Sequence, residues 1–309
     1  MSNVVLDYTF KVSATPIIPS ADTSWLKNPA VVVKASETYP AGIYTITSKD
    51  QFAEHTANEN IKSILDVKSY CYLIVTDSLD LEEILEANKT NFFTVIISDD
   101  FTIADFGEDM ANLKLGSYDG VIAYANPVVS SEDRTFVDAF AKKWCAFDGT
   151  VNNMCHAFSK LLGDSSWKNQ QYIDMPDAGY NDLGKAEYDF EKRVSFVIND
   201  ELKYYLGFLA VGGRAIIAPY IIKEIEIKHQ SRSLTWIAAN QPTRNIVNAK
   251  LLQDRLNEIY DSYLANNQIE RGFTEVTLND DDAFSCRATI DLTDPTALWR
   301  IFANLTVES

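Results

Sequence analysis

The sequence predicts an α/β chain, α+β overall. A central mixed sheet flanked by helices leads into a C-terminal helix with antiparallel strands, and an extended β-strand arm lies at each terminus. Three observations carry that expectation. The first twelve residues, and a stretch near the C-terminus at 284–292, alternate apolar and polar residues with a period of two. The middle alternates strand and helix patterns at the spacing of parallel crossover units. Near the C-terminus, a long pattern with apolar residues every three and four positions precedes two further strand-like stretches. Three parts follow: 1–29, an N-terminal strand arm and linker; 30–192, an α/β domain; and 193–309, a C-terminal assembly domain with a terminal arm.

In the first arm Val4, Leu6, Tyr8, Phe10 and Val12 alternate with Asn3, Val5, Asp7, Thr9 and Lys11. Residues 13–29 carry Pro16, Pro19 and Pro29 among Ser, Thr, Asp and Asn. Proline fixes φ and removes a donor, so this linker is expected to run extended and to span on the order of 50–60 Å. A strand on such a tether reaches its own sheet or a neighbouring subunit's, and the sequence leaves both open.

Strands are expected at 30–33 and 43–47 around Pro40 and Gly42, then a helix at 49–57 and a buried strand at 70–76. Asp80 and Glu83 have the spacing of a capping box opening a helix to about 88. Strands at 92–97 and 120–125 continue the sheet. A helix at 131–144 packs through Phe136, Val137, Phe140 and Trp144, and another at 151–162 stops at Gly163. The polar stretch 167–185 reads as a surface loop of a length that hints at a contact surface. The sheet resumes at 194–198. Asp200 is expected to cap a helix to about 211, which Gly212 and Gly213 break, and 214–228 reads as an edge strand interrupted by Pro219.

Thr243 is the expected N-cap of a helix at 244–266, whose Ala249, Leu252, Leu256, Ile259 and Tyr263 share one face. A strand at 273–278 follows Gly272, then an acidic turn at 279–282. Phe284, Cys286, Ala288, Ile290 and Leu292 then alternate with Ser285, Arg287, Thr289 and Asp291, the pattern of a half-buried antiparallel strand. In the tail, Trp299, Ile301, Ala303, Leu305 and Val307 share a face if it is extended; Leu298, Ile301, Phe302 and Leu305 do if it is helical. β-Branched Thr306 and Val307 favour strand at the very end. An end this apolar needs something to pack against.

With 309 residues, 46% hydrophobic and 23% charged, the composition is that of an ordinary globular protein. No apolar run approaches the ~20 residues of a bilayer span, and the start lacks the basic region of a secretory signal. Direct membrane insertion is therefore not expected, and folding in a cytoplasm is. Cys71, Cys145, Cys155 and Cys286 lack paired spacing and read as small hydrophobes. A net charge of −17, from 44 acids against 27 bases, repels phosphate backbones, so nucleic acid is an unfavourable partner. The same charge suits a soluble protein, or one that assembles only against a complementary surface.

No constellation of catalytic, cofactor-binding or metal-ligating residues stands out. The turn after Thr76 (Asp77, Ser78, Leu79 and Asp80) has no glycine to bring backbone amides to a phosphate. Cys155 and His156, adjacent on a helix, point about 100° apart. His55 and His229 lack companions at ligand spacing. Asp280 to Asp282 lack the central Gly and closing Glu of a calcium loop and read as a hairpin turn.

Several stretches together resemble the contractile-tail sheath proteins of bacteriophages, in a compact form. They are 193–198 from Arg193 to Ile198, 212–219 from Gly212 to Pro219, the helix end at Tyr263 and Leu264, the strand from Gly272 and Phe273, and 291–301. The similarity covers 193–309 plus the arm from Val4 to Val12, and it is one of layout. The chain departs from larger sheath subunits in leaving little room for peripheral domains, so a related ring or terminator component of the tail stays open. The resemblance implies a non-enzymatic subunit without cofactors that polymerises as a helical homo-oligomer around a tail tube, by strand addition between subunits. Contraction of that sleeve would drive the tube through the host envelope. Implied partners are further copies of the chain, the tail tube protein, and baseplate and neck or terminator proteins; the implied place is the virion tail, assembled in the host bacterial cytoplasm. The two apolar arms would be the subunit interfaces. The residues alone also leave open an α/β enzyme or binding protein for a small polar ligand, its termini folded onto its own core.

Overall fold

A computed structural model of the chain describes residues 2–11, 22–66, 68, 70–163, 175–179, 182–200, 203–206, 210–211, 214–240, 242–243, 245–278 and 283–292. Val12, the turn at 279–282 and the C-terminal arm with Trp299, Ile301, Ala303, Leu305 and Val307 lie outside the described residues. The chain divides into two compact units, Ser24–Ile217 and Met1–Thr23 with Ala218–Ser309.

The chain opens with β1 (Ser2–Lys11) of the second unit. The first unit then builds β2 (Pro29–Lys34), β3 (Gly42–Ile46), α1 (Lys49–His55), β4 (Cys71–Thr76), α2 (Glu82–Ala87), β5 (Thr94–Ile97), α3 (Ile103–Phe106) and β6 (Val121–Ala125). It continues with α4 (Ser131–Ala141), β7 (Cys145–Asp148), α5 (Val151–Gly163), α6 (Leu183–Lys192), β8 (Ser195–Asp200), β9 (Lys203–Leu206) and the short pair β10 (Ala210–Val211) and β11 (Arg214–Ala215). Among the described residues β2 to β9 form an eight-stranded sheet of order β3-β4-β2-β5-β6-β7-β8-β9, and β10 and β11 pair by themselves. The strands from β4 to β8 in that order run parallel, and β3 and β9 close the two edges antiparallel. The mixed α/β sheet expected from the strand–helix–strand spacing is thus the frame of this unit.

Parallel strands covered on both faces read as unbroken apolar runs. Val31, Val32 and Val33 of β2 and Val95, Ile96 and Ile97 of β5 are all fully buried. On one face Phe106 gathers the rings of Tyr124, Phe136 and Phe140 at centroid distances of 4.8, 5.0 and 5.9 Å. Each such burial contributes roughly 1.5–3 kcal/mol. α5 packs on the 3-10 segment Glu59–Asp66, where the Ser159 hydroxyl donates to the Ile64 carbonyl at 2.7 Å.

Several local expectations are corrected. α4 stops at Ala141, three residues short of the expected 144, and it is followed from Cys145 by strand β7, which the residue pattern did not announce. Leu183–Lys192 is helical where part of a loop was expected. Asp200 caps no helix: β9 returns antiparallel to β8, with Val197 opposite Leu206. β8 and β9 complete the large sheet at its β7 side. The edge strand expected at 214–228 is only β11, followed by the long helix α7 (Ile217–Asn240). Pro219 sits in the first turn of α7, where a backbone N–H has no intrahelical partner to lose. The Asp80 carboxylate pairs with the Lys114 ammonium at 2.8 Å, and α2 begins only at Glu82. Capping boxes form instead at Thr102 with Asp105 and at Ser130 with Asp133.

The second unit continues from α7 into α8 (Ile246–Asn257), α9 (Asp261–Ala265), β12 (Ile269–Leu278) and β13 (Ala283–Leu292). The single helix expected at 244–266 is two, capped at Asn245 in place of Thr243, with the Asn245 side chain accepting from the Asn248 N–H at 2.8 Å. Its apolar face nevertheless runs through both, for Ala249, Leu252, Leu256, Ile259 and Tyr263 are all buried. β12 starts four residues before the expected 273 and runs through Gly272. A Cβ at Gly272 would lie 2.3 Å from the Tyr260 ring.

Candidate assembly surface

The terminal strands meet in one antiparallel sheet of order β1-β13-β12. β13 is its spine. Phe284, Cys286, Ala288, Ile290 and Leu292 are buried as the alternation predicts, and the Trp236 ring of α7 stands edge-on 6.3 Å from Phe284. β1 pairs with β13 along its whole length, from Ser2 opposite Leu292 to Lys11 opposite Ala283. Val4 lies opposite Ile290 and is buried, Leu6 lies opposite Ala288 and is half-buried, and Val5 on the other face is 43% exposed. Tyr8 and Phe10 fall opposite Cys286 and Phe284 in the same register. Of the two alternatives the sequence left open for the first arm, the single chain pairs it with its own sheet.

The two edges of this sheet differ. Outside β12, side chains of α8 take the place of a further strand. The Thr274 N–H donates to Asn257 Oδ1 at 2.7 Å, and the Val276 N–H donates to Gln253 Oε1 at 3.2 Å. Tyr260 and Thr274 share a buried hydroxyl hydrogen bond of 2.8 Å. Outside β1, no further strand lies among the described residues. An edge of this kind is a template for pairing with another chain. The outward side of α8 adds a second exposed apolar surface, Ile246, Val247 and Leu251 at 81, 68 and 50% exposure.

The large sheet offers the alternative place to look for chemistry. Its chain order reverses beside β2, between β4 and β5, and open α/β sheets bind ligands outside the strand ends at such a point. Here the protein's own side chains bridge that crevice. Asn58 Nδ2 donates to Asp99 Oδ1 at 2.6 Å and to Asp100 Oδ1 at 3.1 Å, and Asn60 Nδ2 donates to Asp99 Oδ2 at 3.0 Å. The Lys34 N–H donates to Asp100 at 3.1 Å and its ammonium to Asp105 at 2.7 Å. Lys34 and the Thr102 donors hold the Asp105 carboxyl below its ordinary range, against the opposing pull of desolvation. Among the described residues, no group of three His, Cys, Asp or Glu side chains is placed to hold a metal ion.

The four cysteines are buried thiols, as their apolar settings predict. Burial pushes Cys71, Cys145 and Cys286 up to about 12 and raises Cys155 as well. A nucleophilic thiol needs the opposite shift. Sequence reasoning missed one polar cluster, a charged staple joining α4, β7 and α6. The Arg134 guanidinium donates to Asp189 and, at 3.0 Å, to Asp148, while the Lys185 ammonium lies 3.1 Å from Asp148. Both carboxylates are buried, and no spacing in the sequence signals residues so far apart. Among the described residues no helix is long and apolar enough to cross a membrane.

No protein-family model matches the chain, and no curated protein does. Among solved structures, one chain of the cryo-EM structure of the anti-feeding prophage baseplate, six-fold symmetrised, matches with a TM-score of 0.61. The likeness covers 92% of this chain and 94% of that chain at 11% identity. The two share a fold nearly end to end. At that identity the likeness is one of architecture, and it takes in both units of the present chain.

Proposed function

We propose that the chain is a structural subunit of a contractile tail or related injection device, and of the sheath kind, polymerising around a tail tube by strand addition between subunits. The observation that carries the proposal is the fold likeness, across 92% of the chain, to a chain of the anti-feeding prophage baseplate. The terminal sheet supports the mode of assembly. Every backbone hydrogen bond that β1 makes to β13 in one chain is equally available to the β1 of a second copy. Exchange would replace pairing within a subunit by pairing between subunits at little change in contact energy. The apolar tail with Trp299, Ile301, Ala303, Leu305 and Val307 would be the second arm, reaching a neighbour in the same way. Linkers let subunits slide while their strand pairs hold, and the fall from an extended sleeve to a contracted one would drive the tube through the host envelope. On this reading the partners are the chain itself, the tube protein, and baseplate and neck or terminator proteins, in a virion tail assembled in the host cytoplasm.

A second reading has an observation in its favour. The matching chain belongs to a baseplate, so a ring component at the end of the tail is the neighbouring proposal. Electron microscopy of the purified full-length chain, alone and with tube protein, separates the two. Long sleeves support the sheath reading and closed rings the baseplate reading. Uniform monomers at every concentration, with tube protein present, would count against both.

A further inference from the structure

Within the second unit, α7 and the α8–α9 pair leave a groove of about 670 Å³ between them. Half-buried Trp236 and buried Ile259 line its apolar part, and Arg232 and Arg255 bring two cations to it, while the Lys228 ammonium, also at the groove, is neutralised by Glu224 at 2.7 Å. Glu258 is the carboxylate among the lining residues. Arg232 Nη1 donates to the Arg255 carbonyl at 2.9 Å and lies 3.6 Å from Glu258, while Arg255 Nη1 lies 3.3 Å from the same carboxylate. Two guanidiniums therefore share one acid, and the groove keeps an excess of positive charge. It does so on a chain whose net charge is −17.

That combination has a recognisable physical use. Tryptophan and arginine are the side chains that most often dominate binding energy at protein interfaces, where an apolar anchor is seated inside a polar rim. A guanidinium also offers a planar fork that fits a carboxylate. The groove volume lies in the ~300–1,000 Å³ range that buries a ligand the size of a few side chains. Copies of an acidic chain repel one another over most approaches, so one basic groove selects the approach in which an acidic surface meets it.

We propose that this groove receives an acidic segment of a second copy of the chain, with an apolar side chain seated against Trp236 and Ile259 and carboxylates on Arg232 and Arg255. The inference rests on the self-assembling reading above. It adds a contact between side chains, sensitive to salt, to one made by backbone pairing. The groove contact would fix the angle at which neighbours meet, a task that strand pairing on a long linker leaves undetermined.

The test uses the full-length chain and its R232E/R255E and R232Q/R255Q variants. The concentration needed for assembly is read by light scattering and sedimentation across rising salt. Both arginines are exposed at the groove, and circular dichroism with thermal melts checks that the fold is kept. The Glu pair should raise the required concentration about tenfold or more, and the Gln pair less. Wild-type assembly should weaken with salt, and the variants should lose most of that dependence. Variants that assemble at the wild-type concentration with the wild-type salt response overturn the proposal. So does a variant that self-assembles normally but loses affinity for an acidic tube protein, because the occupant is then another molecule. An L6D variant that abolishes assembly while the arginine variants do not would sink the groove and leave the function standing. A wild-type chain that never associates would sink both.

Discussion

Gly272 is where a single hydrogen atom decides the packing of the terminal sheet. The Tyr260 ring occupies the space a side chain would need, and it is held there by its buried hydrogen bond to Thr274. Gly272→Ala is expected to destabilise the chain by about 1–3 kcal/mol through overpacking, read as a lowered urea midpoint at unchanged slope. His229 supplies a pH signature. Buried on α7, with the Tyr260 ring edge-on at 5.5 Å, its imidazole is lowered to about 4, chiefly by desolvation and then by the Arg232 charge. Between about 6.5 and 4 the unfolded chain binds a proton that the folded chain refuses, so stability falls as the pH drops through that window and levels off below it. About 3 kcal/mol is at stake, and His229→Asn should flatten the urea midpoint between pH 7 and 4.5 relative to the wild type. A wild-type midpoint with no extra fall over that range would contradict the assignment.

At the scale of elements, periodicity was legible wherever an element buries one face for long enough to repeat. The face from Ala249 to Tyr263 and the alternation from Phe284 to Leu292 came straight from the residue pattern. Short or fully buried pieces did not. β7 has four residues, all buried, and sits between two helices, so it offers no period to read. α7 is apolar around much of its circumference and carries a proline near its start, which imitates an interrupted strand until the special status of the first helical turn is taken into account. The closure of β12 was invisible because it depends on Gln253 and Asn257 meeting a strand some twenty residues on. Asn257→Ala removes the acceptor of the Thr274 N–H and should cost about 1–3 kcal/mol. It should also raise the exchange rate of that amide in hydrogen–deuterium measurements, while the amides of β13 stay protected.

At the scale of the whole molecule, the α/β class and the antiparallel terminal strands were legible from pattern and spacing. The strand order was not, because pairing between distant strands leaves no mark in a single sequence. Nor was the closure of the crevice beside β2, which rests on Asn58 and Asn60 folding back onto Asp99 and Asp100. The proposed role depends on one property of the ends of the chain: that the β1 strand pairs with the β13 of another copy once subunits assemble. Val5 and Thr289 face each other directly in that pairing. A V5C/T289C variant, assembled and then oxidised, reports which chain each strand belongs to, because the native cysteines are buried. On a denaturing gel run without reductant, the account predicts a ladder of covalently linked multimers. Cross-linking confined to single chains within well-formed assemblies would contradict it.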